Sequence, residues 1–302
     1  MHLHDRRTYV VTGADSGIGA LTADLLQRRG ARVIRCGLAD DADVRADLGD
    51  RAGRTALVQE VARLAPSGID GLALVAGIGA PATATVRVNY FGTLAVLTGL
   101  RPLLLRSDAP RATLISSASS LSAGDADIVT AALRGDENSA IAAAERAIAR
   151  GRGGVIYRST KIALNRWVRR HAGGAEWAGS GIPLNVIAPG IVDTETVRET
   201  MLAESAQAKI LAEALPQPLG FPGPVEAVAE AVTWTLAPAN SFMAGQIIFV
   251  DGGADTILRA DQPYATGVRY GPLAMARMIY WTLRARARAR RVSKVTGGAR
   301  GQ

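Results

Sequence analysis

Tyr157 and Lys161 stand four residues apart in the run Tyr157-Arg158-Ser159-Thr160-Lys161, a spacing that places a phenol and an ammonium on one face of a helix. A free tyrosine has a pKa of about 10 and exchanges protons poorly at neutral pH. A neighbouring cation favours the phenolate and lowers that value by roughly 1–3 units, so the pair can serve as an acid–base catalyst. The same two residues also describe an ordinary exposed helix face. What they do depends on the rest of the chain.

A second run with chemical content is Thr12-Gly13-Ala14-Asp15-Ser16-Gly17-Ile18-Gly19, which follows the apolar stretch Thr8–Thr12 and opens a helical one, Gly17–Arg29. Strand, glycine-rich turn and helix in that order are the context a nucleotide-binding loop requires. Gly13 permits the tight turn, Gly17 lets backbone approach a pyrophosphate, and Gly19 allows close helix–strand packing. The helix N-terminus beyond them favours negative charge.

The elements that must hold these residues follow from periodicity. Apolar β-rich runs at Thr8–Thr12, Arg32–Cys36, Gly71–Val75, Ala112–Ser116, Leu184–Ala188 and Gln246–Val250 alternate with helical stretches such as Val86–Leu105, Val155–His171 and Val225–Leu236. Such alternation predicts βαβ units. The expected fold is α/β: one Rossmann-type, doubly wound parallel sheet flanked by helices over residues 1–262. Two segments read as additions. Residues 119–154 are Ala-rich, with helices expected at Asp125–Leu133 and Asn138–Arg150, and border the Tyr157 helix. Residues 263–302 form a basic C-terminal tail, in which Met275, Met278, Ile279, Tyr280, Trp281 and Leu283 precede a run of arginines.

Composition bounds the function. The 302 residues are 48% hydrophobic and 21% charged, ample for a large core. The single cysteine, Cys36, excludes an internal disulfide and reads as a buried strand residue. With no Cys/His cluster, no metal site is expected. His2 and His4 read as exposed terminal residues, and no apolar leader precedes the first strand, so a reducing, cytoplasmic setting is expected. Nine Lys and Arg of the tail account for the formal charge of +8, leaving 26 basic against 27 acidic residues in positions 1–262. The tail therefore reads as a solvated appendage or as a peripheral contact for an anionic membrane surface. No nucleic-acid recognition motif accompanies the charge.

Together the motifs resemble the short-chain dehydrogenase/reductase family. Besides Thr12–Gly19 and Tyr157-x-x-x-Lys161, the chain has Ala76-Gly77 after a strand, Val88-Asn89-Tyr90-Phe91-Gly92, Ser116-Ser117 ending a strand, Asn185-Val-Ile-Ala-Pro189-Gly190, and Val250-Asp251-Gly252-Gly253, in the family's order from about Thr8 to Asp255. Within the family, the long insert before Tyr157 makes the chain most similar to bacterial 3α-hydroxysteroid dehydrogenase/carbonyl reductases.

The resemblance implies roles. Tyr157 exchanges the proton with the substrate oxygen while hydride passes to or from a nicotinamide; Lys161 holds the nicotinamide ribose and lowers the Tyr157 pKa. Ser117 orients the substrate oxygen, with Ser116 the alternative, since period-2 alternation puts one of the two on the site face. Asn89 holds a water between Lys161 and solvent. Gly13, Ser16, Gly17, Ile18, Gly19, Ala76, Gly77, Pro189, Gly190, Val192 and Thr194 line the cofactor, Thr194 at its carboxamide. Asp47 and Leu48 meet the adenine, although Asp47 also reads as a surface-turn acid.

Two departures bear on the cofactor. Val75 replaces the family's usual Asn, so packing is expected in place of a bracing hydrogen bond. Gly37 stands where NAD-selective relatives carry an acid on the adenosine ribose. Without it a 2′-phosphate is not repelled, and Arg35 is a candidate to attract one; Asp15 and Ser16 nevertheless provide no basic clamp. NAD(H) is the expectation, with NADP(H) left open.

The segment 195–223 corresponds to the family's substrate lid, and Val197, Met201, Leu202, Ile210, Leu211, Leu215, Leu219 and Phe221 suit a hydrophobic alcohol or ketone. The expected activity is NAD(P)-dependent interconversion of a hydrophobic secondary alcohol, steroid-like or cyclic, and its ketone. A 3-oxoacyl-thioester reductase and a non-catalytic dinucleotide sensor docking through its tail are the alternatives. A homodimer is expected, because the insert at 119–154 lies near the first of the long-helix surfaces through which the family assembles.

Overall fold

β-Branched side chains fit a pleated, buried surface, and Thr8-Tyr9-Val10-Val11-Thr12 forms the first strand of a seven-stranded, all-parallel sheet. The computed structural model describes residues 4–298. His2 and Arg300 lie outside the described residues, as do the side chains of Arg288, Arg290, Arg291 and Lys294. The chain divides into two compact units, Met1–Leu258 and Arg259–Gln302.

In order, the elements are β1 (Thr8–Thr12), α1 (Gly17–Arg28), β2 (Arg32–Gly37), β3 (Val44–Arg45), α2 (Arg51–Leu64), β4 (Gly71–Leu74), α3 (Thr83–Val86), a π-helical turn (Arg87–Gly92), α4 (Thr93–Leu104), β5 (Arg111–Ile115), α5 (Ala126–Leu133), α6 (Glu137–Ala149) and α7 (Val155–His171). There follow β6 (Leu184–Pro189), α8 (Glu195–Thr200), α9 (Ser205–Ala214), α10 (Val225–Leu236), β7 (Ile247–Val250), α11 (Ala254–Arg259) and, in the second unit, α12 (Pro272–Gly298). Short 3₁₀ turns link some of them.

The strand order is β3-β2-β1-β4-β5-β6-β7. Both faces are covered, so alternate residues of each strand feed two separate cores. Val10, Leu72, Leu114 and Val186 face one, packed with Leu57, Leu97, Leu100 and Leu164 from α2, α4 and α7. Tyr9, Val11, Ala73, Ile115 and Ile187 face the other, with Leu26 of α1 and Val228, Val232 and Leu236 of α10. The order reverses direction between β1 and β4, the point at which open α/β sheets take ligands outside the strands' C-terminal ends.

The insert is a helical hairpin pinned at both ends. Asp125 caps α5 through Asp127 N and Ile128 N, and its own N–H donates to Ser159 Oγ on α7 at 2.8 Å. Glu137, buried at the start of α6, accepts from Arg54 Nη2 and Nη1 at 2.8 and 3.0 Å, tying the insert to α2.

Several expectations are corrected. The helix read as continuous over Val86–Leu105 is interrupted by a π turn at Arg87–Gly92 and starts at Thr83. Strand β3 was absent from the sequence reading, because two residues carry no periodicity. His4 is buried, not exposed: its Nδ1 lies 2.8 Å from Tyr9 Oη and its ring meets that of Tyr9 edge-on. Of the lid residues, Val197, Leu211, Leu215 and Phe221 pack into a local cluster with Ala118 and Ile191, whereas Met201, Ile210 and Leu219 are exposed.

Candidate active site

The glycine-rich turn closes over the C-terminal ends of β1 and β4. Gly13 and Gly17 adopt φ of +65° and +52°, the left-handed region where a side chain is strained. A Cβ on Gly13 would stand 2.8 Å from Ala76 Cα, and one on Gly19 would overlap the Gly13 carbonyl, so each glycine is also required by close approach. Gly17 faces Thr194, whose methyl would lie 3.3 Å from a Cβ there. Three segments distant in sequence thus adjoin.

At the start of α1, Ser16 is extended and its side chain makes no capping bond, while Ile18 packs into the second core. The first-turn N–H groups are therefore left for a ligand, and small residues leave backbone room beside them. This cradle fits the pyrophosphate of a dinucleotide. Thr12 Oγ accepts hydrogen bonds from Val75 N and Ala76 N at 3.1 and 3.2 Å, bracing the β4 end. Val75 itself packs in the second core, as expected of its departure from Asn.

Helix α7 carries Tyr157 and Lys161. Lys161, 3% exposed, donates from Nζ to the Ile115 carbonyl at 2.9 Å and stands 5.5 Å from the centre of the Tyr157 ring. Burial lowers the Lys161 pKa to about 8. Burial pushes the Tyr157 phenol above its ordinary value, and hydrogen bonding with Ser117 opposes that rise. The expected lowering of the phenol by Lys161 is thus corrected: the ammonium donates to a carbonyl, and burial raises the phenol with Ser117 as the group that opposes the rise.

The serine pair resolves as one residue in and one out. Ser116 is buried, its Oγ 3.5 Å from the Lys161 carbonyl. Ser117 reaches Tyr157 and also caps a 3₁₀ turn by accepting from Ser119 N at 3.1 Å. Asn89 sits in the π turn, which rotates it inward; its side chain bonds both Ile78 N and Ile78 O at 2.8 and 2.9 Å and approaches Thr160 Oγ. Gly77 lies between, since a Cβ there would be 3.3 Å from Asn89 Oδ1 and 3.5 Å from Lys161 Nζ. Ser117, Tyr157, Lys161, Asn89 and Gly77 are therefore one cluster.

After β6, which ends at Pro189, Gly190 N donates to the Val250 carbonyl at 3.0 Å, Val192 bridges to Gly223, and Thr194 caps α8 through Val197 N. A residue the sequence reading missed fixes this loop. Buried Gln217 accepts from Ile191 N at 2.6 Å and donates to Ile191 O at 3.1 Å. Its only signal is a lone amide in the run Leu215-Pro-Gln217-Pro-Leu219.

Just beyond β3, Leu48 is buried and its carbonyl accepts from Arg54 Nε, while exposed Asp47 caps its own turn through Gly49 N at 2.7 Å. Gly37 ends β2 as expected, but the space a side chain would fill is taken by the Asp15 carboxylate, which accepts from Leu38 N at 2.6 Å. Arg35 does not face this place as a spare cation; it pairs with Asp24 and bonds Gln27 on α1.

A family model described as enoyl-(acyl carrier protein) reductase matches residues 13–255. The chain is 34% identical to 3-alpha-hydroxysteroid dehydrogenase/carbonyl reductase of Comamonas testosteroni over 84% of its own length and 98% of the relative's. To cis-4-hydroxycyclohexanecarboxylate dehydrogenase of Sinomonas cyclohexanicum it is 32% identical, covering 82% and 96%. The crystal structure of the 3-alpha-hydroxysteroid dehydrogenase from Pseudomonas sp. B-0831 complexed with NADH superposes with a TM-score of 0.77 at 37% identity, covering 84% of this chain and 98% of that one.

Proposed function

Because the chain belongs to the short-chain dehydrogenase/reductase family, we propose that it interconverts a hydrophobic secondary alcohol, cyclic or steroid-like, and its ketone with a nicotinamide dinucleotide. The observation that carries this reading is the convergence of Ser117, Tyr157, Lys161 and Asn89 beside the Gly13–Gly19 cradle. The relatives support the substrate class, since two are named for a hydroxysteroid and a hydroxycyclohexane acid.

The bound nicotinamide supplies hydride acceptance or donation. In the oxidation direction the Tyr157 phenolate takes the alcohol proton; in the reduction direction the phenol gives it to the carbonyl oxygen. Ser117 holds that oxygen by donating its hydroxyl proton, and its own link to Tyr157 aligns the two. Lys161, held by the Ile115 carbonyl, presents its ammonium to the cofactor ribose. Asn89, by fixing both polar groups of Ile78, keeps the segment beyond Gly77 open against Lys161. Val197, Leu211, Leu215 and Phe221 form the apolar cluster from which the lid closes on a hydrophobic substrate.

The test is a turnover screen of steroid, cyclic and aromatic alcohols and of acyl-thioesters, with NAD and NADP in parallel. Cyclic or steroid alcohols are the expected substrates, and Tyr157→Phe should lose at least about a hundredfold in kcat. Turnover confined to 3-oxoacyl-thioesters, or undiminished in Tyr157→Phe, refutes the proposal.

A second contact is favoured by α12, on which Leu273, Met278, Tyr280, Trp281 and Leu283 are all exposed beside Arg277 and Arg284. Among the described residues no helix is long and apolar enough to cross a membrane, so the proposed contact is peripheral. Cosedimentation with anionic but not neutral vesicles, lost on truncation after Gln262, is the expected result.

A further inference from the structure

The end of β2 is where this fold receives the adenosine ribose, and there the strand offers Gly37, which has no group to bond a hydroxyl or repel a phosphate. The acid comes from elsewhere. Asp15, in the glycine-rich turn, folds back over Gly37, and its carboxylate occupies the volume of the absent side chain. Leu38 N donates to Asp15 Oδ2 at 2.6 Å and holds it there. We propose that Asp15 is the cofactor-selecting residue of this protein, accepting from the ribose 2′-hydroxyl and excluding a 2′-phosphate, so that the enzyme is selective for NAD(H). This rests on the dinucleotide reading above.

The two positions are reciprocal. A Cβ at residue 37 would fall inside the Asp15 carboxylate, so Gly37 is the condition for Asp15 to reach the site. A carboxylate in the loop and a carboxylate on the strand are alternative ways of filling one volume. Charge around it agrees. Asp15 forms no ion pair among the described residues, whereas both nearby arginines are engaged: Arg35 with Asp24, and Arg45 with Asp40 at 2.6 Å. Asp43, which accepts from Arg35 N, adds a second negative charge near the strand end. A dianionic 2′-phosphate would meet acids there, with Arg35 of β2 and Arg45 of β3 already paired to other carboxylates.

The full-length protein is titrated with NADH and with NADPH, without substrate, following the fluorescence of the bound dinucleotide. Wild type is expected to bind NADH at least tenfold more tightly. Asp15→Asn keeps the shape and the bond from Leu38 N but removes the charge, and should reduce that preference at least fivefold. Asp15→Ser combined with Gly37→Asp returns the acid from the strand and should restore it. A wild type without NADH preference, or an Asp15→Asn variant whose preference falls less than fivefold, overturns the assignment while dinucleotide binding stands. If neither dinucleotide binds, the dinucleotide reading fails, and the assignment with it.

Discussion

Lys161 gives its short hydrogen bond to the Ile115 carbonyl, 2.9 Å away, and only the face of the Tyr157 ring, 5.5 Å from the ammonium, feels its charge. The phenol is consequently governed by burial and by Ser117. This determines how the site should respond to pH and to mutation.

Since Tyr157 is pushed above its ordinary value, the phenol is the resting form at neutral pH. Oxidation, which needs the phenolate, should therefore quicken as pH rises into the alkaline range, whereas reduction, which needs the phenol, should hold through neutrality and then decline. Removing the Ser117 hydrogen bond in Ser117→Ala raises the phenol further. The alkaline limb of the oxidation profile should move to higher pH and kcat should fall by about a hundredfold or more. Profiles of kcat in both directions for the two proteins test this; a limb that stays in place counts against the pairing.

Lys161, lowered to about 8 by burial, binds fewer protons folded than unfolded between its folded value and about 10.4. Stability should then rise with pH across that window, and the cost of the buried charge is fully present below pH 8. Lys161→Met removes a cost on the order of 3 kcal/mol at pH 7, partly offset by the unpaired Ile115 carbonyl, and abolishes activity. Urea melts at pH 7 and pH 10 should show the variant's relative stability falling at the higher pH. Equal differences at both values contradict it.

His4, buried against Tyr9, titrates near 4, lowered by burial and then by Arg29 and Arg7. The unfolded chain binds its proton from about pH 6.5 downward, so the native state should lose stability as pH falls through 6.5 towards 4, and none of this loss is present at pH 7. His4→Phe should flatten that part of the profile, Tyr9 Oη keeping its bond from Arg7 Nε at 3.0 Å. Thermal melts between pH 4 and 7 decide it.

The buried pair Arg54–Glu137 joins α2 to the insert, with side chains 7% and 8% exposed. Burial alone would raise Glu137, yet Arg54 draws its pKa below the ordinary value. Cutting one partner, as in Arg54→Met or Glu137→Gln, should cost about 3–5 kcal/mol. Arg54→Met with Glu137→Leu should cost less than either single change, because no charge is then stranded. Denaturant unfolding of the three variants tests the ordering; simple additivity rejects it.

The sequence by itself determined the fold class and most of the site. Strand and helix periodicity is local, so β1, α7 and α10 begin and end where the pattern places them. Gly13, Gly17 and Gly19 are legible because turn geometry at a strand–helix junction restricts residue type, and Tyr157 with Lys161 because helix spacing is fixed.

Only the tertiary structure decided what depends on neighbours distant in sequence. In the sequence Asp15 counted only as a loop position without a basic clamp, until the fold laid it over Gly37. Gln217 was one amide in a proline-flanked run until it met Ile191, and His4 a terminal residue until Tyr9 covered it. The π turn that rotates Asn89 inward has no pattern of its own. The opening pair shows the same division: residue spacing puts Tyr157 and Lys161 on one helix face, but burial of both, opposed at Tyr157 by Ser117, sets their protonation. Desolvation is a property of everything packed around a group, and no local stretch of sequence contains it.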